Sequence, residues 1–515
     1  MNAPTPAVAL ESREPHDSTR TPRVIILGAG MSGLLAGIRL RQAGIENFTI
    51  YEKSHDVGGT WRENRYPGLA CDVPAHYYTY SFEPNPDWQH RFARGPEIQN
   101  YMRHVADKYD LRRHIVFGEE GAQARFDGRR WQLELRSGKQ DSAEFLIAAC
   151  GFLHHPKEPD IPGLDSFAGA RFHSARWDDS VDLKDKRIGL IGTGSTGVQI
   201  ACSVSRLPCE LNVFQRTPQW VFPLPDRQYS LVERELVTQV PALARLAYGV
   251  YDELFDALFS RAMIRPGLQR RLIDAACHWN LRRVRDPQLR RRLTPDYQPM
   301  CKRIVMSWEY YEAMQRPNVN LVTDGIERVV PEGIVTRDGR THPLDVLVLA
   351  TGFKTHEYMR PLELTNAQGL SLSSLWEEHG PRAYNSLAIP QFPNFFLLGG
   401  PNSPLANGSV ILYTEALVDY VMQCIDMYRR GELDTLAPTQ AATNTFYDEL
   451  KRNMDGTVWV TGCQNWYIGK DGLPEVWPRR PREFNALLAS PRLEDFEVSN
   501  PGWAEQVATA SSNEG

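Results

Sequence analysis

Arg23-Val24-Ile25-Ile26-Leu27-Gly28-Ala29-Gly30-Met31-Ser32-Gly33 is the segment from which the architecture can be read. Five residues ending in an apolar run lead into Gly-x-Gly-x-x-Gly, and residues 34–43 follow with helical periodicity. Strand, glycine turn and helix make a dinucleotide site: the glycines permit a tight turn and close backbone approach, and the helix N-terminus faces a pyrophosphate. Gly28, Gly30, Ser32 and Gly33 are the expected contacts. The next apolar run, Phe48-Thr49-Ile50-Tyr51, ends in Glu52, at the spacing such a site requires. A carboxylate there accepts hydrogen bonds from ribose hydroxyls and repels a 2′-phosphate, so this first site suits FAD or NAD and not NADP.

The pattern recurs. Arg187-Ile188-Gly189-Leu190-Ile191 runs into Gly192-Thr193-Gly194-Ser195-Thr196-Gly197, with Gln199 in the helix beyond. Its second strand, Leu211-Asn212-Val213-Phe214, ends in Gln215-Arg216-Thr217. A guanidinium and a hydroxyl at that point can bind a 2′-phosphate, which indicates NADPH. Two such sites imply electron transfer between two cofactors. The expected fold is α/β with two dinucleotide-binding, Rossmann-like domains. Residues 21–155 and 346–499 make the first, 156–180 a linker, and 181–345 the second. Between about 224 and 300 no nucleotide motif occurs and apolar residues fall at helical spacing, so a helical insertion is expected there.

Composition sets outer limits. The chain has 515 residues, 42% hydrophobic and 23% charged, which is ordinary for a globular protein and too long for one core. A net charge of −5 argues against a nucleic-acid binder. The arginine-rich stretch 269–293 is interrupted by Asp274 and Asp286 and reads as a solvated amphipathic face. No apolar run reaches membrane-spanning length. Residues 1–20 and 500–515 read as disordered tails, and with no export signal the expected compartment is the cytoplasm. The eight cysteines lack metal-ligand spacing, so no metal is expected and reduced thiols are the simplest reading. No Cys-x₄-Cys follows Gly58-Gly59, which disfavours a disulfide reductase.

Between the two turns lies Phe167-Ala168-Gly169-Ala170-Arg171-Phe172-His173-Ser174-Ala175-Arg176-Trp177-Asp178. Its pattern, Phe-x-Gly-x₃-His-x₃-Trp-Asp, resembles the fingerprint of the type I Baeyer–Villiger monooxygenases, and the resemblance extends over residues 23–482. Gly58-Gly59-Thr60-Trp61, the aromatic run around Tyr78, and the segment from Asn394 to Val410 resemble the family's flavin-contacting loops. Met300-Cys301-Lys302-Arg303 resembles the segment that supplies the family's active-site arginine. The resemblance thus implies that Arg303 is catalytic, that Asp72 pairs with it beside the flavin, and that Lys302 helps to hold the NADP phosphate. It implies cofactor-binding roles for Thr60, Trp61, Tyr78, Val410, Thr193, Gly194, Ser195, Thr196, Gly197, Gln199, Arg216 and Thr217. His173, which unaided reads equally as a structural histidine, would position cofactor. Trp466 would touch the nicotinamide nucleotide, although the chain departs from the family at Gly469-Lys470-Asp471-Gly472-Leu473-Pro474. Ala70 stands where some members carry a basic residue.

The activity so implied is oxidation of a small-molecule ketone to an ester or lactone by O2, with FAD and NADPH, through a flavin C4a-peroxide. Sulfur or nitrogen oxygenation and a non-catalytic nucleotide sensor are the alternatives. Trp177 tilts the choice toward ketones, because related heteroatom-oxidising families carry Tyr or Phe there. No motif names the ketone or an oligomeric state.

Overall fold

The computed structural model describes residues 20–499 other than 406, 407, 464 and 471. Apart from Arg20, the expected tails lie outside the described residues. Two five-stranded, all-parallel sheets organise the chain. The first has the order Phe395–Leu397, Phe145–Ala148, Val24–Leu27, Phe48–Glu52, Ile115–Phe117. The second has Val319–Val322, Glu210–Phe214, Arg187–Ile191, Val346–Leu349, Ala170–His173. Each therefore puts its glycine-turn strand in the centre and reverses strand order beside it, which opens a crevice at the carboxyl ends.

The inner strands are short and mostly apolar because both faces are covered. Val24–Leu27 and Val346–Leu349 are buried at every position. The helix Met31–Gln42 packs Leu34, Leu35 and Ile38 inward, against the same core as the long helix Val410–Arg429. By contrast Trp131–Leu135 alternates buried and exposed residues, as suits a strand with one dry face, and lies in a mixed sheet with Gly121–Phe126, Gln140–Ala143 and Glu363–Thr365.

Two boundaries differ from expectation. The stretch read as linker contributes Ala170–His173 as an edge strand of the second sheet, and Val346–Leu349 lies inside that sheet. The chain thus leaves the second unit after Leu349. Period-2 pairing of four residues has too little length to show itself in a linker of mixed composition.

The insertion is helical, as expected. Leu231–Gln239 is capped by Ser230 in a capping box with Glu233, and Pro241–Leu254 starts on proline, where the missing N–H costs nothing. A π-turn, Phe255–Ser260, then carries the chain into Arg261–Ile264, and Leu268–Leu281 and Pro287–Arg292 complete the insertion. Asp256 in the π-turn is buried and receives Arg480 as a fork, while Glu253 pairs with Arg482. The arginine-rich stretch is only partly a solvated face. Arg271, Arg282, Arg291 and Arg292 are exposed, but Arg270 is buried and donates to the carbonyls of Ala262, Met263 and Gly456 at 2.7, 3.1 and 3.0 Å. Three carbonyl acceptors satisfy a guanidinium that no sequence pattern distinguishes from its neighbours.

Candidate active site

A continuous cavity of about 850 Å³ runs from one glycine turn to the other. Sixteen of the expected residues line it: Gly28, Gly30, Ser32, Glu52, Thr60, Trp61, Asp72, Tyr78, Gly194, Ser195, Thr196, Gln199, Arg216, Arg303, Val410 and Trp466. Gly33, Gly197, Thr193, Thr217, Lys302 and His173 are not among its lining residues.

The first turn is built by close backbone packing. Gly28 has φ +103°, and a Cβ there would meet Ala149 O at 2.7 Å; one on Gly33 would meet Gly28 O at 1.9 Å. Gly33 therefore shapes the turn and does not face the cavity. Glu52 is buried and accepts from the amides of Ala29 at 2.7 Å and Ser54 at 2.8 Å. Each carboxylate oxygen keeps a second lone pair, so ribose hydroxyls can still be bound. Gly59 packs on Gly30, which sets the short helix Thr60–Glu63 beside the turn. Trp61 Nε1 donates to Tyr78 Oη at 3.0 Å, and the two rings meet edge to face. Burial raises the Tyr78 phenol well above its ordinary value, so it stays protonated. Ser409 caps the helix Val410–Arg429, whose N-terminal residue enters the cavity.

At the second turn Arg216 is exposed to the cavity, and Lys302 holds its ammonium 4.6 Å from the centre of the Tyr297 ring. Burial and then the Arg216 charge lower the Lys302 pKa. Two cations held near each other make a site for an anion. Thr217 offers its backbone carbonyl to Thr193 Oγ1 at 2.9 Å. Gln199 spans the two halves: it accepts from Tyr66 Oη at 3.0 Å and donates to Ala70 O at 2.9 Å. That latch accounts for both polar ends of its amide.

Arg303 and Asp72 meet where the halves join. Nε and Nη2 of Arg303 donate to the two carboxylate oxygens at 3.0 and 2.8 Å, and Nη1 donates to Leu405 O at 3.0 Å. The carboxylate raises the guanidinium pKa above its already high value, against the effect of burial. On its far side Arg303 faces a small apolar pocket of about 40 Å³, walled by Phe255, Phe259 and Met263 of the insertion, Met300, Trp459 and Tyr467. Burial pushes the Tyr467 hydroxyl up to about 12, and the Arg303 charge opposes that rise.

His173 is buried at the end of its strand. Its Nδ1 accepts from the Ala175 amide at 3.1 Å, and its ring meets Phe353, which does line the cavity. Burial lowers its pKa, so the neutral ring is favoured. Trp466 is 36% exposed, stacks on Phe152, and offers its carbonyl to His356 at 3.1 Å. Sequence reasoning misses Phe152, His154, Phe353, Asn465 and Tyr467 as site residues. The paired Gly-Phe after each glycine-turn sheet, at 151–152 and 352–353, is the repeat that could have drawn attention to two of them.

One expectation is overturned. Cys301 and Cys463 form a disulfide, and only the other six cysteines are free. The two lie 162 residues apart, and the fold brings their Cα atoms to 6.1 Å. Spacing in the sequence carries no sign of that meeting.

The same geometry shows whether the residues fit two dinucleotides. Gly30 and Gly194 precede helices Met31–Gln42 and Ser195–Val204 with no side-chain cap, so the first amides of both helices are left for an anion. A Cβ on Gly194 would meet nothing within 4 Å, so the cavity is open at that turn. The donor set fits FAD at the first turn and NADPH at the second. Among the described residues no cluster suits a metal ion, and no helix is long and apolar enough to cross a membrane.

Comparison with known proteins agrees with this layout. The FMO-like (flavin-binding monooxygenase-like) family model matches residues 21–358. An uncharacterised monooxygenase of Mycobacterium tuberculosis is 50% identical over 479 residues, covering 93% of this chain and 96% of that protein. A Baeyer–Villiger monooxygenase of Streptomyces coelicolor is 38% identical over 504 residues, covering 95% of each. The crystal structure of OTEMO in complex with FAD and NADP is 29% identical, covers 93% of this chain and 100% of its own, and superposes with a TM-score of 0.83. By its two glycine turns, its joined cavity and these matches, the chain belongs to the flavin-binding monooxygenase-like family.

Proposed function

We propose that the protein is an FAD- and NADPH-dependent Baeyer–Villiger monooxygenase that converts a small-molecule ketone to an ester or lactone with O2. The observation that carries this reading is the Asp72–Arg303 fork, set between the two nucleotide turns and open to an apolar pocket. Bound NADPH and FAD supply the hydride and the activation of O2. The chain must then stabilise negative oxygen and keep water away from it.

Arg303 suits the first task. Its charge persists at any working pH, and three of its five N–H groups are spent on Asp72 and Leu405, which leaves two for an oxyanion. Asp72 fixes the plane of the guanidinium, so those two donors are already oriented when charge develops. Phe255, Phe259, Met263 and Met300 exclude water on the substrate side.

The remaining roles come from position in the site. Glu52 takes the FAD ribose, while Thr60, Trp61, Tyr78 and Val410 surround the flavin ring. Arg216, Thr217 and Lys302 take the 2′-phosphate of NADPH. Trp466 covers the nicotinamide, and His173 positions Phe353. Residues 21–155 with the chain after Leu349 form the FAD half, and the second sheet with its insertion forms the NADP half. A cytoplasmic location belongs to this reading: six cysteines are free, and the Cys301–Cys463 disulfide would there be exposed to a reducing thiol pool.

The test is turnover of a ketone panel under ¹⁸O2. One labelled oxygen per ester, with one NADPH consumed, is the expected result. Arg303→Ala should still bleach its flavin with NADPH and lose ester formation by about 10²–10³-fold. Hydrogen peroxide as the sole product of the wild type, with every ketone, would refute the assignment.

A further inference from the structure

The disulfide joins two parts of the cleft that do separate work. Cys301 directly precedes Lys302 and stands two residues before Arg303, and Cys463 stands three residues before Trp466. Besides this bond, the Trp466 loop is held by polar contacts. Asn465 Nδ2 donates to Cys301 O at 3.0 Å, and His356 is shared between Glu475 at 2.8 Å and Trp466 O at 3.1 Å. The indole itself remains partly exposed. The loop is also anchored by the buried Tyr467 ring and by Trp466 stacked on Phe152, and the disulfide adds a covalent tie between it and the segment that carries Lys302 and Arg303.

The two cysteines differ in burial. Cys301 is fully buried, whereas Cys463 keeps 9% of its surface. Cys463, the less buried of the two residues, is taken as the point of attack by an external thiolate. The free cysteines are poor internal competitors, because burial raises the thiol pKa values of Cys71, Cys150, Cys202, Cys277 and Cys424.

We propose that Cys301–Cys463 is a reversible thiol–disulfide site that sets the grip of the cleft on its nicotinamide nucleotide, tight when oxidised and loose when reduced. The inference rests on the reading of the Trp466 side of the cavity as the nucleotide's seat. In reduction, a low-molecular-weight thiolate attacks Cys463 Sγ, the Sγ–Sγ bond breaks, and Cys301 leaves as thiolate. A second external thiolate then displaces Cys463, giving an external disulfide. Two electrons pass to the protein, and each released thiolate takes up one proton. An external disulfide reverses both steps. Such bonds in a cytoplasmic protein are transient and responsive to redox conditions more often than structural.

The experiment uses the FAD-loaded protein before and after treatment with a dithiol. Differential alkylation with mass spectrometry reads Cys301 and Cys463, hydrogen exchange reads residues 465–470, and titration reads NADP⁺ affinity. Cys463→Ser supplies a form that cannot be oxidised at this site. The expected result is labelling of both cysteines only after dithiol. Exchange in the loop should become about tenfold faster and the NADP⁺ dissociation constant should rise about tenfold, with FAD content unchanged. Cys463→Ser should show the loose values throughout and ignore dithiol. Full labelling without dithiol overturns the proposal, and so do equal exchange and equal, measurable affinity in the two redox forms. Absence of NADP⁺ binding in both forms would instead remove the nucleotide reading of the cleft.

Discussion

The two glycine turns share a backbone and differ at the residues that end the next strand. Gly28 and Gly192 have φ of +103° and +112°, and a Cβ on either would strike the carbonyl of Ala149 or Ala350. Gly33 and Gly197 each sit on the carbonyl of the first glycine, at 1.9 and 2.1 Å from where a Cβ would stand. Both first glycines donate to the strand-end carbonyl, Tyr51 O at 2.8 Å and Phe214 O at 3.2 Å. One residue later the halves part. Glu52 turns back to the Ala29 amide, whereas Gln215 turns away to Arg292 O at 2.8 Å and leaves the cavity to Arg216. The two turns thus share their backbone geometry, and their side chains part at the residues that end the next strand.

The strongest way to break this parallel is to fill the third glycine. Gly33→Ala and Gly197→Ala should each cost about 3 kcal/mol locally, since a backbone carbonyl must move. FAD content and NADP⁺ titration should separate them: the first loses flavin, the second keeps flavin and loses NADP⁺. Loss of flavin from both would mean that the turns do not bind independently. Next, Arg216→Gln should weaken NADPH by about 2 kcal/mol, roughly 30-fold, and leave NADH unchanged. Equal loss with both coenzymes would remove Arg216 from the 2′-phosphate. A smaller effect is expected for Glu52→Gln, about 1 kcal/mol in FAD retention, because an amide oxygen can still accept from Ala29.

At neutral pH the last contrast is silent. The chain leaves the first sheet through Ala-Cys-Gly-Phe-Leu-His154 and the second through Ala-Thr-Gly-Phe-Lys-Thr355, with Gly151 and Gly352 both at positive φ. Burial, and next the charge of His155, lowers the His154 pKa to about 4 from 6.5. The unfolded chain therefore takes up this proton at a higher pH than the folded one. Stability from His154 is complete above pH 6.5 and is lost as pH falls toward 4. Melting temperature should drop across that window, and His154→Asn should flatten the drop. An unchanged slope in the variant would clear His154 of the effect.

Much of this was legible because it is local. A glycine turn, an apolar strand and the residue that ends the next strand lie within about 20 residues of each other, and each has a physical reason for its type. Arg303 was legible only through resemblance: its partner Asp72 lies 231 residues away, and Lys-Arg before an apolar run looks like a surface pair. The Cys301–Cys463 bond, the burial of Arg270 and the Gln199 latch were not legible at all. Each is made by the meeting of distant segments, and cysteine, arginine and glutamine carry no mark of where they will end up. The small apolar pocket belongs with these, since its walls come from stretches far apart in the chain, from Asp72 to Tyr467.

The fork from Arg480 to Asp256 and the single bond from Arg482 to Glu253 bear on how such a protein can be recombined. They tie the insertion that walls the small apolar pocket to a segment more than 220 residues further along the chain. Transplanting residues 224–300 from a relative would leave Arg480 and Arg482 without their carboxylates unless the graft supplied acids in place of Asp256 and Glu253. The structural module is therefore discontinuous: the insertion together with the helix Pro481–Leu487 and the arginines at 480 and 482.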